Sequence, residues 1–342
     1  MKYSVLVVLL ALIVVACGPA QNATDVSDPF IGGTKGLALS FQDGAPPREV
    51  FDAGNYPFQV AVRVQNLGES AVGPEAIALS EGKSDNTFAL VQIIGINPQQ
   101  FGNPQMEKTF QMEGVTVDGA KRNFDGTIVS GGTDVVSFED FTYMPDEHGN
   151  SQVTLRANVC YDYTTHSNTR VCIKDNILEN VQDDSICVLA GPKDVKNSGS
   201  PVHVTSLTQN PLGRDKIQVT FTVENVGTGR IFKRSAAQGG VFADYCDSSL
   251  TNPNRDIVHA KVYLGDDFMT SRISCSQFQK SNEGFIRLNQ GTPAVVTCAI
   301  NVDPQGNRVY TDTLHIDLEY TYLEFIETPI LIRDVSSSNT RQ

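Results

Sequence analysis

Residues 57–68 read PFQVAVRVQNLG, and residues 216–227, which lie 159 positions further on, read KIQVTFTVENVG. In each stretch apolar and polar residues alternate and an Asn-x-Gly turn follows. That is the period of a half-buried β-strand, not of a helix. At this offset Gln59, Val60, Val64, Asn66 and Gly68 fall on Gln218, Val219, Val223, Asn225 and Gly227. Gly132-Thr133 falls on Gly291-Thr292, Pro145 on Pro304, and Thr154-Leu155 on Thr313-Leu314. Tyr161, Tyr163, Thr169, Ile173 and Asp175 fall on Tyr320, Tyr322, Thr328, Ile332 and Asp334. One offset held from residue 59 to residue 175 marks an internal repeat.

The rest of each copy also reads as strand. Residues 135–138 and 294–300 are short β-rich runs, each followed by a Pro/Gly/Asn turn. Residues 153–163 and 313–322 are expected to form strands that fold back as hairpins onto 171–173 and 330–332, the first hairpin having its tip near His166. No 3.6-residue periodicity competes with this reading. The expected fold is therefore all-β: two tandem immunoglobulin-like β-sandwich domains related by an internal duplication. They are placed at 36–176 and 201–335, with a linker at 177–200 and a disordered tail at 336–342.

The amino terminus has a different character. After Met1-Lys2-Tyr3 comes the apolar run SVLVVLLALIVVA (4–16), then Cys17-Gly18. The run is too short to span about 30 Å of hydrocarbon and matches a signal-peptide core. Val14-Val15-Ala16-Cys17 resembles a lipobox, which makes 1–17 a lipoprotein signal peptide, an N-terminal signal helix ahead of the two domains, and Cys17 the lipidated residue. The alternative is an ordinary peptidase site, with Cys17 cut away or left free. Residues 18–35 read as a flexible tether, and Asn22-Ala23-Thr24 is a glycosylation sequon.

The strand-and-turn strings resemble immunoglobulin-like repeats of cell-surface proteins, in particular the CARDB (cell-adhesion-related) modules of archaeal envelope proteins. The whole arrangement is similar to two-domain surface lipoproteins of archaea. The lipobox, Gly36-Leu37, Cys160-Tyr161-Asp162-Tyr163 and Ser198-Gly199-Ser200-Pro201-Val202 carry that likeness. It implies adhesion, assembly or envelope architecture, and brings no catalytic residues.

The 342-residue chain is 40% hydrophobic with a formal net charge of −13. It is apolar enough for packed cores, and its charge repels phosphate, which excludes a general nucleic-acid binder. Setting Cys17 aside, Cys160, Cys172, Cys187, Cys246, Cys275 and Cys298 make an even set in an exported chain, and they are expected to form disulfides. Cys160 with Cys172 across the first hairpin is the favoured pair. The alternative pairs one of them with Cys187, and Cys187 could otherwise staple the linker to the second copy. There is no Cys-x2-Cys spacing for a metal.

His148, His166, His203, His259 and His315 read as scattered turn or surface residues. Ser130–Asp134 is loop-like, and its counterpart at 290–293 lacks an acid. Asp146, Glu147 and Asn150, and Asp266-Asp267, are acidic turns that could bind calcium only weakly by pattern. No catalytic residue, cofactor or metal is expected. The expected function is a non-enzymatic, lipid-anchored protein on the outer face of the cell membrane that binds another envelope or surface protein. Alternatives are a structural subunit of a surface layer or filament, assembling at exposed sheet edges, and a hydrolase with its site in the long loops.

Overall fold

The computed structural model describes residues 28–74, 87–177, 186–234, 246–247, 249, 251–265, 272–279, 281–306 and 308–335. Cys17, Asn22, Asp266-Asp267 and the tail lie outside the described residues. The first half carries β1 (Leu37–Phe41), β2 (Glu49–Phe51), β3 (Phe58–Asn66), β4 (Ala89–Ile94), β5 (Glu107–Thr109), β6 (Lys121–Arg122), β7 (Ile128–Val129), β8 (Thr133–Phe141) and β9 (Ser151–Lys174). Between the halves lie β10 (Gly191–Lys193) and β11 (Val195–Asn197). The second half carries β12 (Val202–Pro211), β13 (Lys216–Asn225), β14 (Arg230–Phe232), β15 (Ile257–Leu264), β16 (Ile273–Cys275), β17 (Glu283–Arg287), β18 (Ala294–Asn301) and β19 (Val309–Arg333).

These strands form several sheets, antiparallel except where β2 runs parallel to β19. β1-β3-β8 make a three-stranded sheet and β10-β12-β13-β18-β16 a five-stranded one. A nine-stranded sheet runs β17-β15-β19-β9-β4-β5, with β2, β11 and β14 attached. The decisive alternation is realised in three dimensions. Val60, Val62 and Val64 of β3 are fully buried, as are Val219, Phe221 and Val223 of β13. Each such side chain contributes about 1.5–3 kcal/mol on burial. Both strands are central in their sheets, β3 between β1 and β8, β13 between β12 and β18.

The two long strands pair along almost their whole length, with Tyr161 opposite Tyr322, Asp162 opposite Thr321 and Tyr163 opposite Tyr320. This register maps onto itself under the 159-residue offset, so a pseudo-two-fold axis passes through the Asp162–Thr321 pair. Four buried tyrosines surround that axis on one face, in edge-on or tilted contact. Their hydroxyls reach up into the smaller sheets.

The Tyr163 hydroxyl donates to Asn66 Oδ1 at 3.1 Å and accepts from the Ser70 amide at 3.3 Å. The Tyr322 hydroxyl donates to Asn225 Oδ1 at 3.1 Å and accepts from the Gly229 amide at 2.8 Å. Asn66 and Asn225 each also take the amide two residues on, from Gly68 at 3.1 Å and Gly227 at 3.2 Å. Gly68 and Gly227 lie so close to the Tyr163 and Tyr322 hydroxyls that a Cβ would come within 2.1 and 2.4 Å of them. The matched Asn, Gly and Tyr of the sequence are thus one hydrogen-bonded corner, built twice.

Four features depart from expectation. The hairpins near 164–170 and 323–329 do not form. Both segments stay extended because each pairs with the opposite long strand, 164–170 with 313–319 and 323–329 with 154–160, β11 covers 167–169 on the other side, and the Thr165 hydroxyl is bound by Ser200 and Val202. The halves are not beads on a string, since one sheet contains strands of both. Within 177–200, β10 pairs with β12 and β11 with β9, which makes this stretch part of the sheets. Residues 28–33, expected as tether, are docked: the Glu69 carboxylate accepts from the Ile31 and Gly32 amides at 3.0 Å and from the Gly199 amide.

Candidate functional site

Three disulfides join Cys160 to Cys246, Cys172 to Cys187, and Cys275 to Cys298. They place the chain in an oxidising compartment. The favoured Cys160–Cys172 bridge is corrected: both residues lie on the single strand β9, twelve positions apart, and cannot face each other. Cys172 takes the alternative partner, Cys187, which therefore does not staple the second copy. The bridge across facing antiparallel positions exists, but at Cys275–Cys298, where β16 pairs with β18.

That bridge closes an edge. Residues 272–276 cover β18 through the Asn301 amide on the Arg272 carbonyl and the Ser276 amide on the Thr297 carbonyl. The Gln277 side-chain amide extends the cover to the Val295 carbonyl at 3.1 Å. β8 holds the same position in the other small sheet, with Phe138 opposite Val60 as Cys298 is opposite Val219. Among the described residues no strand pairs with its outer side. The Val135 amide turns to its neighbour Asp134 Oδ1 at 2.7 Å, and the Val135 side chain is exposed. β8 begins at the Ser130–Asp134 loop, whose glycines serve backbone approach: a Cβ on Gly131 would stand 2.3 Å from the Asn66 carbonyl. A nine-residue strand with one open side offers a row of amides and carbonyls to an incoming strand.

A second cluster occupies the face of the large sheet opposite the tyrosines. Register places His259 beside Glu319, Lys261 beside Asp317 and Tyr263 beside His315, with Thr164, His166 and Asn168 of β9 completing the rows. His259 is held at both ring nitrogens, Nδ1 to Glu319 at 3.3 Å and Nε2 to Glu283 at 3.1 Å. It thus joins β15 to β17 and β19 by bridging two carboxylates. His166 Nδ1 lies 2.8 Å from Asp317 Oδ1, and the Tyr263 hydroxyl donates to Asp317 Oδ2 at 3.1 Å.

Arg234 links Glu319, at 3.3 Å, to buried Asp162, at 3.9 Å. Burial pushes the Asp162 carboxyl up to about 6, against the Thr321 hydroxyl and the Arg234 charge. Burial would also raise Glu319, but the His259 hydrogen bond and Arg234 reverse it and hold the group at about 2. For His166, burial disfavours the charged ring, and the hydrogen bond and charge of Asp317 more than offset it, so its pKa rises.

Across the pseudo-axis the positions of His259, Glu319 and Thr164 are taken by Leu90, Cys160 and Leu323, a small apolar cluster with Phe88, Phe232 and Cys246. Next to the axis one half of this face is a salt-bridged lattice and the other an apolar, disulfide-stapled cluster, with the Arg156–Glu327 pair further out. Three of the five histidines thus share one face, which corrects their reading as scattered. His203 touches the Gly33 carbonyl and His148 is exposed. In the acidic turn at 146–150, Glu147 accepts from the Tyr143 hydroxyl and Asn150 from the Asp334 amide. Among the described residues no group of three or more His, Cys, Asp or Glu side chains converges as metal ligands would.

No family model matches the chain, and no curated protein matches it. Solved structures with weak likeness include the envelope protein VP37 of White Spot Syndrome Virus, 10% identical over 48% of this chain and 98% of that one, TM-score 0.20. Red sea bream transglutaminase is 9% identical over 87% of this chain and 31% of that one, TM-score 0.17. A Sulfolobus Turreted Icosahedral Virus chain is 8% identical over 80% and 84%, TM-score 0.11. At these scores none carries an argument about fold or function.

Proposed function

We propose that the protein is a non-enzymatic, lipid-anchored component of the cell envelope, displaying two immunoglobulin-like halves of duplicated origin and binding another surface protein. The CARDB-like strings and the lipobox support the placement. The observation that carries the binding reading is the β8 edge, unpaired among the described residues, against its closed counterpart, β18 under β16. The same backbone geometry that accepts β16 in the second half is offered to an incoming strand in the first. Main-chain hydrogen bonds would supply affinity, and alternate side chains such as Val135 and Ser137 would select the partner.

Val135→Pro removes an outward amide that does not bond to β3, and it leaves the core intact. The released ectodomain of the wild type is expected to capture its partner from solubilised envelope, and the variant to lose it with an unchanged melting temperature. Equal capture by both proteins refutes the edge as the site. If the captured strand comes from a second copy of this chain, the protein is a filament subunit instead, and light scattering of the purified ectodomain separates the cases.

A further inference from the structure

Every residue from Lys121 to Ser130 is exposed. Within that stretch β6 and β7 pair with each other, Lys121 opposite Val129 and Arg122 opposite Ile128, and among the described residues with no other strand. The turn is closed by the Asn123 amide on the Thr127 carbonyl and the Gly126 amide on the Asn123 carbonyl. Asp125 Oδ1 accepts from the Thr127 amide and hydroxyl, which keeps that carboxylate within the turn. At the tip Phe124 is fully exposed, and Ile128 and Val129 are at least half exposed. A free two-stranded ribbon is marginal in water. This one nonetheless presents apolar side chains, and with Lys121, Arg122 and Asp125 it is net positive on a chain of net charge −13.

Its position is tied to where the chain leaves the body. The Arg122 guanidinium donates to the Phe30 carbonyl at 3.1 Å. Phe30 belongs to the segment fixed by Glu69, by the Ser200 amide on the Gly33 carbonyl and by Lys196 against Asp28. Ten residues, 18–27, then separate this exit from Cys17. A stretch of that length reaches at most about 40 Å fully drawn out. The arm of the ribbon from Lys121 to Phe124, at about 3.3 Å per residue, projects roughly 13 Å, inside that reach.

We propose that the 121–129 hairpin is a membrane-contact finger. Phe124, with Ile128 and Val129, seats in the interface of the same bilayer that holds the Cys17 lipid, and Lys121 and Arg122 meet anionic headgroups. This rests on the lipid-anchored reading. The finger then fixes which side of the molecule faces the membrane.

The chain contains no tryptophan, so Phe124→Trp in the full-length lipidated protein creates a single indole reporter at the tip. On vesicles of mixed neutral and anionic phospholipid the indole is expected to shift to the blue and to be quenched by lipids brominated on their acyl chains. In the Cys17→Ser background, Phe124→Ser with Ile128→Ser is expected to lower residual binding to the same vesicles about tenfold or more. Tyrosine near-ultraviolet circular dichroism checks that the variants stay folded.

If the protein floats with vesicles in a Cys17-dependent way while the indole stays water-exposed and unquenched, the finger is refuted and the anchor stands. If Cys17→Ser floats as well as the wild type, lipidation is refuted, and quenching still decides the finger. A protein that never floats refutes both. An indole that is silent on vesicles and shifts only when envelope protein extract is added refutes the lipid surface in favour of a protein partner.

Discussion

Tyr163→Phe and Tyr322→Phe probe the twice-built corner at one atom each. The ring and its packing survive, and only the hydroxyl is lost. In the first half the loss removes an acceptor from the Ser70 amide at 3.3 Å and a donor to Asn66 Oδ1, which keeps its bond from Gly68. In the second half the orphan is the Gly229 amide, bonded at 2.8 Å, and Asn225 keeps its bond from Gly227. A net hydrogen bond contributes about 0.5–1.5 kcal/mol, and a donor left without its partner costs about 1–3 kcal/mol. Each variant should therefore lose about 2–3 kcal/mol, a substantial share of a typical 5–15 kcal/mol stability. The shorter bond at Gly229 makes Tyr322→Phe the costlier of the two. Urea unfolding followed by tyrosine fluorescence reads the loss as a lower midpoint at unchanged slope. If both variants unfold within about 0.5 kcal/mol of the wild type, the corner is not a source of stability. A large loss in one and none in the other would show that the geometry repeats without its energetics.

Two further outcomes are expected. The Cys160–Cys246 bridge, closing a separation of 86 residues, should contribute more than Cys172–Cys187 at 15 or Cys275–Cys298 at 23. Loop entropy assigns them about 4.5, 3 and 3.5 kcal/mol in that order, so paired Cys→Ser variants should rank that way in urea midpoint, and non-reducing peptide mapping should find these three linkages. Stability should also peak near pH 4, where the contributions of these groups balance. Burial raises Glu324 to about 7 and Asp162 to about 6, so each costs stability as it ionises, progressively from pH 4 to 7. Glu319, held at about 2 in the fold, removes stability as pH falls below about 4.5. Glu324→Gln should gain roughly 2 kcal/mol at pH 8, after discounting for its solvated part, and nothing at pH 4. Flat unfolding midpoints across that range would refute the assignment.

Much of this molecule is legible in local periodicity and in one repeat offset. Period-two alternation identified β3 and β13, and the matched Asn66, Gly68 and Tyr163 with their counterparts proved to be a physical network. What local reading missed is long-range. Thr164 to Arg170 is polar and reads as a hairpin tip, yet nothing in it forbids extension, and pairing with β19 and β11 keeps it straight. The Cys160–Cys172 error follows directly from that imagined turn. The ladder of His259, Glu319, Asp317 and His166 escaped because its members sit on three strands. The signal was present in β19, where His315, Asp317 and Glu319 alternate with apolar residues. That no strand among the described residues covers the outer side of β8 could not be read at all, since it depends on where other segments lie.

The antiparallel marriage of β9 and β19 bears on how the chain comes into being. Lys174 meets Val309 at one end of that ladder and Ser151 meets Ile332 at the other. A chain emerging amino terminus first exposes all of β9 before any of its partner exists. Until the last residues arrive, the longest strand of the first half, 24 residues, stands with that edge as an unmet template for any passing strand. Such non-local pairing is intrinsically slow and prone to aggregate. A carboxy-terminal truncation just before Val309 should therefore yield no soluble half-molecule, and the nascent chain must be kept apart from its neighbours until the final strand is delivered.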